Sequence, residues 1–125
     1  MDEKDRGYSL NKGNGMKDYK DSLAVFIDEI KKSSVYTDYI VQRDNLRKYP
    51  ELKKQVDEYR QKNYELQNNT WPDQLFDEMD RFQKEYESFR ENPVVHDFLA
   101  AELALCRMMQ MINYEIVKAV SNDFE

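Results

Sequence analysis

Few residues of this sequence have the types and spacing that chemistry requires. His96 is the one histidine and Cys106 the one cysteine, so an intrachain disulfide and a self-sufficient metal–thiolate site are excluded. The chain has no glycine-rich phosphate loop, no HExxH motif and no G-x-S-x-G motif. His96 falls in the first turn of a predicted helix, where a protonated imidazole would meet the positive end of the helix dipole. We therefore predict no catalytic residue, no metal site and no cofactor.

Glu102 is the most informative polar residue, because it lies near the middle of an apolar helix face between Phe98 and Met109. A carboxylate in that position must find a partner or shift its pKa. We expect an ion pair with a basic residue of the second or third predicted helix, and Arg43 is the natural candidate because it looks inward. The alternative is a ligand-binding bundle that uses Glu102 together with Asn113, three turns later on the same line.

Soft and aromatic side chains suggest a contact surface. Cys106, Met108, Met109 and Met111 form a patch of flexible side chains on one helix. Such side chains fill cores, and they also line surfaces that accept partner helices. Tyrosine, which occurs nine times, suits subunit interfaces because its ring is apolar and its hydroxyl is wet. We predict an interface that includes Tyr36, Tyr39, Leu105, Met108, Met109 and Ile112.

A long C-terminal helix, predicted at 93–121, positions most of these residues. It contains no glycine and no proline after Pro93. Asn92 is a favoured N-cap and Pro93 suits the first helical position. Its apolar residues cover about half of the circumference, which is wider than the stripe of an ordinary surface helix. Such a helix must contact several neighbours or be shared with a second subunit.

Four more helices are predicted, at 21–33, 34–48, 50–68 and 73–90, with Asp21 or Ser22 as the first cap. Two of them carry apolar seams at 4-3-4-3 spacing, a pattern typical of coiled coils. These seams are Leu52, Val56, Tyr59, Asn63 and Leu66 in the third helix, and Leu75, Met79, Phe82, Tyr86 and Phe89 in the fourth. The short loop 68–72 joins them, which predicts an antiparallel hairpin. The predicted fold is all-α: an elongated antiparallel bundle of about five helices with a long C-terminal helix.

Length and composition indicate the domain organisation, the class of partner and the location of the protein. A chain of 125 residues suggests one domain, and we predict a flexible polar tail at 1–20 followed by a helical domain at 21–125. The net charge of −6 disfavours direct nucleic-acid binding, which needs a basic surface. No apolar run reaches 18 residues and no signal segment is visible, so we expect a cytoplasmic protein without membrane insertion.

Two stretches resemble a known family. The segment ENPVVHDFLAAEL at 91–103 is similar to the "ENPVVQxYLxAExxL" stretch of the YlbF/YmcA family. The upstream order is similar too, with the family's pattern matched by Ile30, Ser33, Tyr36, Tyr39, Leu46, Pro50, Glu51, Leu52 and Tyr59. The resemblance covers about residues 22–121.

The resemblance implies a regulatory role in competence, sporulation and biofilm development, and no enzyme activity. Some members form a complex with a third, unrelated protein that steers a membrane-anchored endoribonuclease, and that complex is linked to flavin and iron–sulfur cofactors. This chain offers only one thiolate, from Cys106, so we predict no cluster. We expect a non-enzymatic regulatory adaptor that forms a homodimer, has protein partners in an RNA-processing complex and takes no small-molecule substrate. The alternative is a structural homodimer without a regulatory partner.

Overall fold

The computed structural model describes residues 18–124, and the regular secondary structure in that range is entirely helical. Six α-helices and a final 3-10 turn follow one another: α1 Lys20–Lys32, α2 Ser34–Arg47, α3 Pro50–Asn69, α4 Pro72–Glu85, α5 Glu87–Glu91, α6 Pro93–Ser121 and the turn Asn122–Phe124. The predicted all-α class and the long C-terminal helix are confirmed. Residues 1–17 of the predicted tail lie outside the described residues.

The chain divides into two compact units, and the first ends at Thr37. It holds α1 and the first turn of α2. The helix starts at Lys20, so Asp21 and Ser22 lie inside its first turn and do not cap it. Ser33 leaves the helical conformation, with φ −66° and ψ 152°. Its hydroxyl donates to the carbonyl of Ile30 at 2.6 Å and accepts from the N–H of Tyr36 at 3.2 Å. One serine therefore closes α1 and caps α2, where the sequence predicted a break.

The second unit begins at Asp38 and is built around the hairpin of α3 and α4. The ring of Tyr59 stacks on that of Phe82 at a centroid distance of 5.2 Å. Further along, Lys62 Nζ lies 3.9 Å from a carboxylate oxygen of Glu85. Tyr59 lies ten residues before the end of α3 and Phe82 ten residues after the start of α4, so this stacked pair joins two antiparallel helices, as the short loop between them predicted.

The predicted fourth helix, 73–90, is wrong in one respect, because it is broken at Tyr86. This residue has φ −101° and ψ 12°, and it separates α4 from α5. The bend lets Tyr86 and Phe89 both reach Tyr59, at centroid distances of 5.2 and 5.6 Å. The break frees carbonyls at the end of α4, and the guanidinium of Arg90 donates to one of them, that of Gln83, at 2.7 Å. One predicted helix is therefore two, and aromatic rings from both, Phe82 and Phe89, pack against Tyr59.

The core of the second unit lies where α2, α3 and α6 meet. Leu46, Val56, Val95 and Phe98 are buried there and form one cluster. Partly buried neighbours surround this cluster: Tyr39, Leu52, Phe89, Val94 and Leu99. No polar or charged residue is buried in the described part of the chain. The core is small, and it takes only the first turns of α6.

Candidate interaction surface

The start of α6 is fixed by its cap. The side-chain oxygen of Asn92 accepts hydrogen bonds from the N–H groups of Val94 at 3.0 Å and Val95 at 3.4 Å. Pro93 occupies the first helical position, where its missing N–H costs nothing. Both features match the sequence prediction. They hold the first turns of α6 in register against the core.

The covering of α6 ends after its third turn. Val95, Phe98 and Ala101 are buried, and no residue from 102 to 123 is. Ile116 lies 18 residues after Phe98, which is about five helical turns, so the two side chains share one angular position. Phe98 is 3% exposed and Ile116 is 52% exposed. The same helix face is therefore core at one end and uncovered at the other.

Apolar side chains continue along this uncovered part. Those that are exposed are Leu103, Met109, Met111, Tyr114, Ile116, Val117 and Val120. We call the stretch centred on the angular position of Phe98 and Ile116 the α6 face, and define it by Leu105, Met109, Ile112, Ile116 and Val120. A contiguous apolar surface of this kind marks a contact site more often than a monomer's free surface.

The predicted interface residues fall into three groups. Leu105, Met108 and Ile112 are half-buried, and Met109 is 44% exposed. Tyr39 packs against the core, with its ring centroid 5.9 Å from that of Phe98. Tyr36 is half-buried in the first unit. The four predicted residues of α6 therefore lie on the uncovered part of that helix, whereas Tyr39 packs against the core.

Glu102 pairs with Arg60 of α3, and not with Arg43. Arg43 instead contacts the carboxylate of Asp44 at 3.1 Å. The Glu102 and Arg60 side chains are 26% and 43% exposed, so the pair lies at the edge of the helix packing and is not buried. An ion pair with the third helix was one of the expected outcomes, but the partner residue differs.

Arg60 extends this contact into a small network on α3. Its guanidinium also bonds to Asp57 at 2.9 Å, and Asp57 accepts from Lys53 Nζ at 2.7 Å. The hydrogen bond from Lys53, with a further one from Arg60, holds the pKa of Asp57 below its ordinary value of 3.8, although partial desolvation opposes the shift. The charges are satisfied within the network, which is typical of a structural contact.

Sequence reasoning missed Arg60, although a signal was present. Arg60 follows the seam residue Tyr59 directly, and this flanking position of a heptad commonly carries charges that pair between helices. The sequence favours Arg43 as the partner of Glu102 because Arg43 lies at an inward-facing position of its own helix. Which of the two reaches Glu102 depends on how α3 lies beside α6, and helix spacing alone does not determine that.

The alternative ligand site is not assembled. Glu102 and Asn113 are separated by 11 residues, or about 16 Å along the helix axis, and Asn113 is exposed. A shallow groove between α3 and α6 includes Tyr59, Arg60, Asn63 and Glu102, but Asn113 does not line it. The carboxylate that was to bind a ligand is already paired with Arg60.

The remaining candidate groups are dispersed. His96 is exposed and its ring nitrogen lies 3.2 Å from a carboxylate oxygen of Asp97. Cys106 is an exposed free thiol. Over residues 18–124, no group of three or more potential metal ligands lies close enough to hold an ion. In the same range, no helix is both long and apolar enough to span a bilayer.

Comparison with known proteins gives a family. The model described as "Control of competence regulator ComK, YlbF/YmcA" matches residues 20–121. This range contains the six helices found in residues 18–124. Searches of curated proteins and of solved structures gave no significant match.

Proposed function

Because the chain belongs to the YlbF/YmcA family, whose description is a regulatory one, we propose that it is a non-enzymatic regulatory adaptor that acts by protein contacts. The observation that carries this proposal is the α6 face, which continues the helix face that is buried at Phe98 and is itself 52% exposed at Ile116. An apolar helix face left open by its own chain is suited to a partner helix. The side chains that define the α6 face are apolar, so none of them is suited to act on a substrate.

The first partner of the α6 face is a second copy of this chain. A two-fold dimer uses the same patch on both subunits, so a single self-complementary stripe is sufficient. The α6 face supplies apolar residues at 4-3-4-4 spacing from Leu105 to Val120, close to what two helices need in order to pack along a shared seam. The flexible Met109 adapts to the partner surface.

The wider role follows from the family. We propose that the dimer joins other proteins of a regulatory complex that controls competence and acts in RNA processing, with related effects on sporulation and biofilm formation. The net charge of −6 favours protein contacts over direct RNA contacts in such a complex.

Complementation tests the proposal. In cells that lack the gene, we would express the parent, Ile116→Lys or Gln110→Lys, and measure expression of a ComK-dependent reporter. Ile116→Lys places a charge on the α6 face, and Gln110→Lys places the same charge on an exposed position outside it. We expect the parent and Gln110→Lys to restore the reporter, and Ile116→Lys to fail at equal protein level. Full restoration by Ile116→Lys would rule out a role for the α6 face.

A catalytic or ligand-binding role makes a different prediction. Glu102→Gln removes the carboxylate on which that alternative depends, while it keeps the size of the side chain. We expect Glu102→Gln to restore the reporter as the parent does, because Glu102 serves packing of α6 on α3. Loss of the reporter with a stably folded Glu102→Gln protein would favour the ligand-binding alternative.

A further inference from the structure

The turn between α3 and α4 presents two aromatic rings to solvent. Trp71, the N-cap residue of α4, is 75% exposed, and Phe76, five residues later, is 82% exposed. They are the two most exposed large apolar side chains in the described part of the chain. Trp71 directly precedes α4 and Phe76 lies in its second turn, so both residues belong to the turn end of the hairpin. We call Trp71 and Phe76 the aromatic tip.

The aromatic tip is not needed for the packing of the hairpin. The inward side of α4 is formed by other residues: Leu75 and Met79 are half-buried and Phe82 is buried. An exposed tryptophan and an exposed phenylalanine are expensive to hydrate, and both residue types are enriched at the centres of protein interfaces. Their exposure therefore indicates a contact that the chain itself does not complete.

The residues around the aromatic tip carry only negative charge. The segment from Glu65 to Asp80 has five acidic residues and no basic residue: Glu65, Asp73, Asp77, Glu78 and Asp80. The next two basic residues compensate only part of this charge. Arg81 bonds to Glu78 at 3.1 Å and Lys84 to Asp80 at 3.2 Å.

Asp73 and Asp77 remain beside Phe76 on the exposed side of α4. Neither forms an ion pair with any residue in the range 18–124. Both carboxylates are exposed, and Asp73 neighbours Phe76 at i,i+3 spacing, so the partner of that ring must tolerate or use their charge. This combination of acid and aromatic groups restricts the class of partner.

Two common uses of exposed aromatic rings conflict with this charge. Rings that stack on nucleic-acid bases lie in basic grooves that follow the phosphates, and here the phosphates would meet carboxylates. Rings that anchor a protein at an anionic membrane surface are accompanied by lysine and arginine, which are lacking between Glu65 and Asp80. The complementary partner is apolar and positively charged.

We propose that the aromatic tip is a docking surface for the apolar face of a basic amphipathic helix of a partner protein. The apolar face covers Trp71 and Phe76, and lysine or arginine side chains on its margins lie opposite Asp73 and Asp77. Recognition of an amphipathic helix takes its affinity from a few apolar anchors and its selectivity from the surrounding charges. The inference rests on the proposed adaptor role only for the existence of a partner.

The chain carries its own reporter for this contact, since Trp71 is its one tryptophan. We would follow the emission of the full chain during titration with an amphipathic peptide made of leucine and lysine. The comparison probes are a leucine–glutamate peptide of the same pattern, a serine–lysine peptide of the same charge, polyuridylate, and phosphatidylglycerol vesicles. We expect a saturable blue shift with the leucine–lysine peptide alone, which weakens as salt is added.

Three variants decide whether the aromatic tip is responsible. Phe76→Ala should weaken binding of the leucine–lysine peptide about tenfold, the loss of one apolar anchor. Asp73→Asn with Asp77→Asn should weaken it mainly at low salt. Val41→Ala, which truncates a 60% exposed side chain elsewhere, should bind as the parent does. Circular dichroism confirms equal helix content in each.

Several outcomes would overturn the proposal. They are no shift with the leucine–lysine peptide, an equal shift with the leucine–glutamate or serine–lysine peptide, a shift with polyuridylate or vesicles, and unchanged affinity in Phe76→Ala. Failure here is separable from failure of the adaptor role. Ile116→Lys changes the α6 face and should leave the peptide titration as it is, whereas Phe76→Ala leaves the α6 face intact.

Discussion

At the scale of single residues, Arg60 is the side chain that ties α3 to α6. Its guanidinium contacts Asp57 on its own helix and Glu102 on α6. All three side chains keep between a quarter and a half of their surface in water, so solvent screens the attraction. Pairs of this type contribute modestly to stability, and their main effect is on geometry.

A double-mutant cycle measures the Arg60–Glu102 contact. We expect a coupling free energy of about 0.5 to 1 kcal/mol between Arg60→Met and Glu102→Gln in urea denaturation, because the pair is partly exposed. The matched control is the exposed pair Glu78 and Arg81 within α4, for which we expect about 0.3 kcal/mol. A coupling of zero for Arg60 and Glu102 would mean that the ion pair does not join the helices.

The pKa of Asp57 gives a second prediction at this scale. Lys53→Met removes the largest cause of the lowered pKa, so the pKa of Asp57 should return toward 3.8 in an NMR titration. Arg60→Met should raise it less. An unchanged pKa in Lys53→Met would contradict the assignment of the cause.

The sign of the effect on stability follows from the direction of that shift. Because the folded-state pKa is below the unfolded one, Asp57 favours the folded state above the unfolded pKa, and this contribution is lost as pH falls through the folded pKa. Asp57→Asn should therefore be less stable than the parent at pH 7. This difference in the free energy of unfolding should shrink below about pH 4.

At the scale of elements, two helix boundaries follow local chemistry, whereas the start of α1 and one internal break do not. The sequence predicts the start of α6 from Asn92 and Pro93, and both are found in those roles. The separation of α1 from α2 at Ser33 is likewise predicted by residue type. The break at Tyr86 could not be predicted from residue type, because the sequence around it contains no glycine or proline. Rings on both sides of the break pack against Tyr59, which lies on another helix, and helical periodicity does not include such contacts.

The cap of α6 is directly testable. Asn92→Ala removes the oxygen that accepts from Val94 and Val95, and should lower the free energy of unfolding by about 1 kcal/mol. Asn92→Asp keeps an acceptor and should cost much less. Urea denaturation compares the two. Equal stability of Asn92→Ala and the parent would show that the cap contributes nothing to holding α6.

At the scale of the whole molecule, the chain has more apolar helix surface than its small core can cover. The sequence indicates this surplus, because the apolar arc of the last helix is too wide for one neighbour. It does not indicate which part remains open, since that depends on where the neighbouring helices end. The core of the second unit uses α6 as far as Ala101, and the α6 face lies beyond it. The aromatic tip was not predicted for the same reason, because exposure is a property of the assembled hairpin.

The α6 face predicts the oligomeric state. We expect the parent to sediment as a dimer and Ile116→Lys as a monomer, because a lysine at the centre of an apolar seam leaves its charge desolvated without a partner. Gln110→Lys should remain a dimer. Sedimentation equilibrium over a range of concentrations makes the comparison, and a parent that stays monomeric at the highest concentration would contradict self-association.

Co-purification from the native cell tests the central claim most directly. The tagged parent, Ile116→Lys and Gln110→Lys would be purified at equal expression and their associated proteins quantified by mass spectrometry. The adaptor account predicts that the parent and Gln110→Lys enrich at least one other regulatory protein, such as a second family member or a component of an endoribonuclease complex, and that Ile116→Lys loses it. Recovery of the chain alone with all three proteins would contradict the account and leave a structural dimer as the better description.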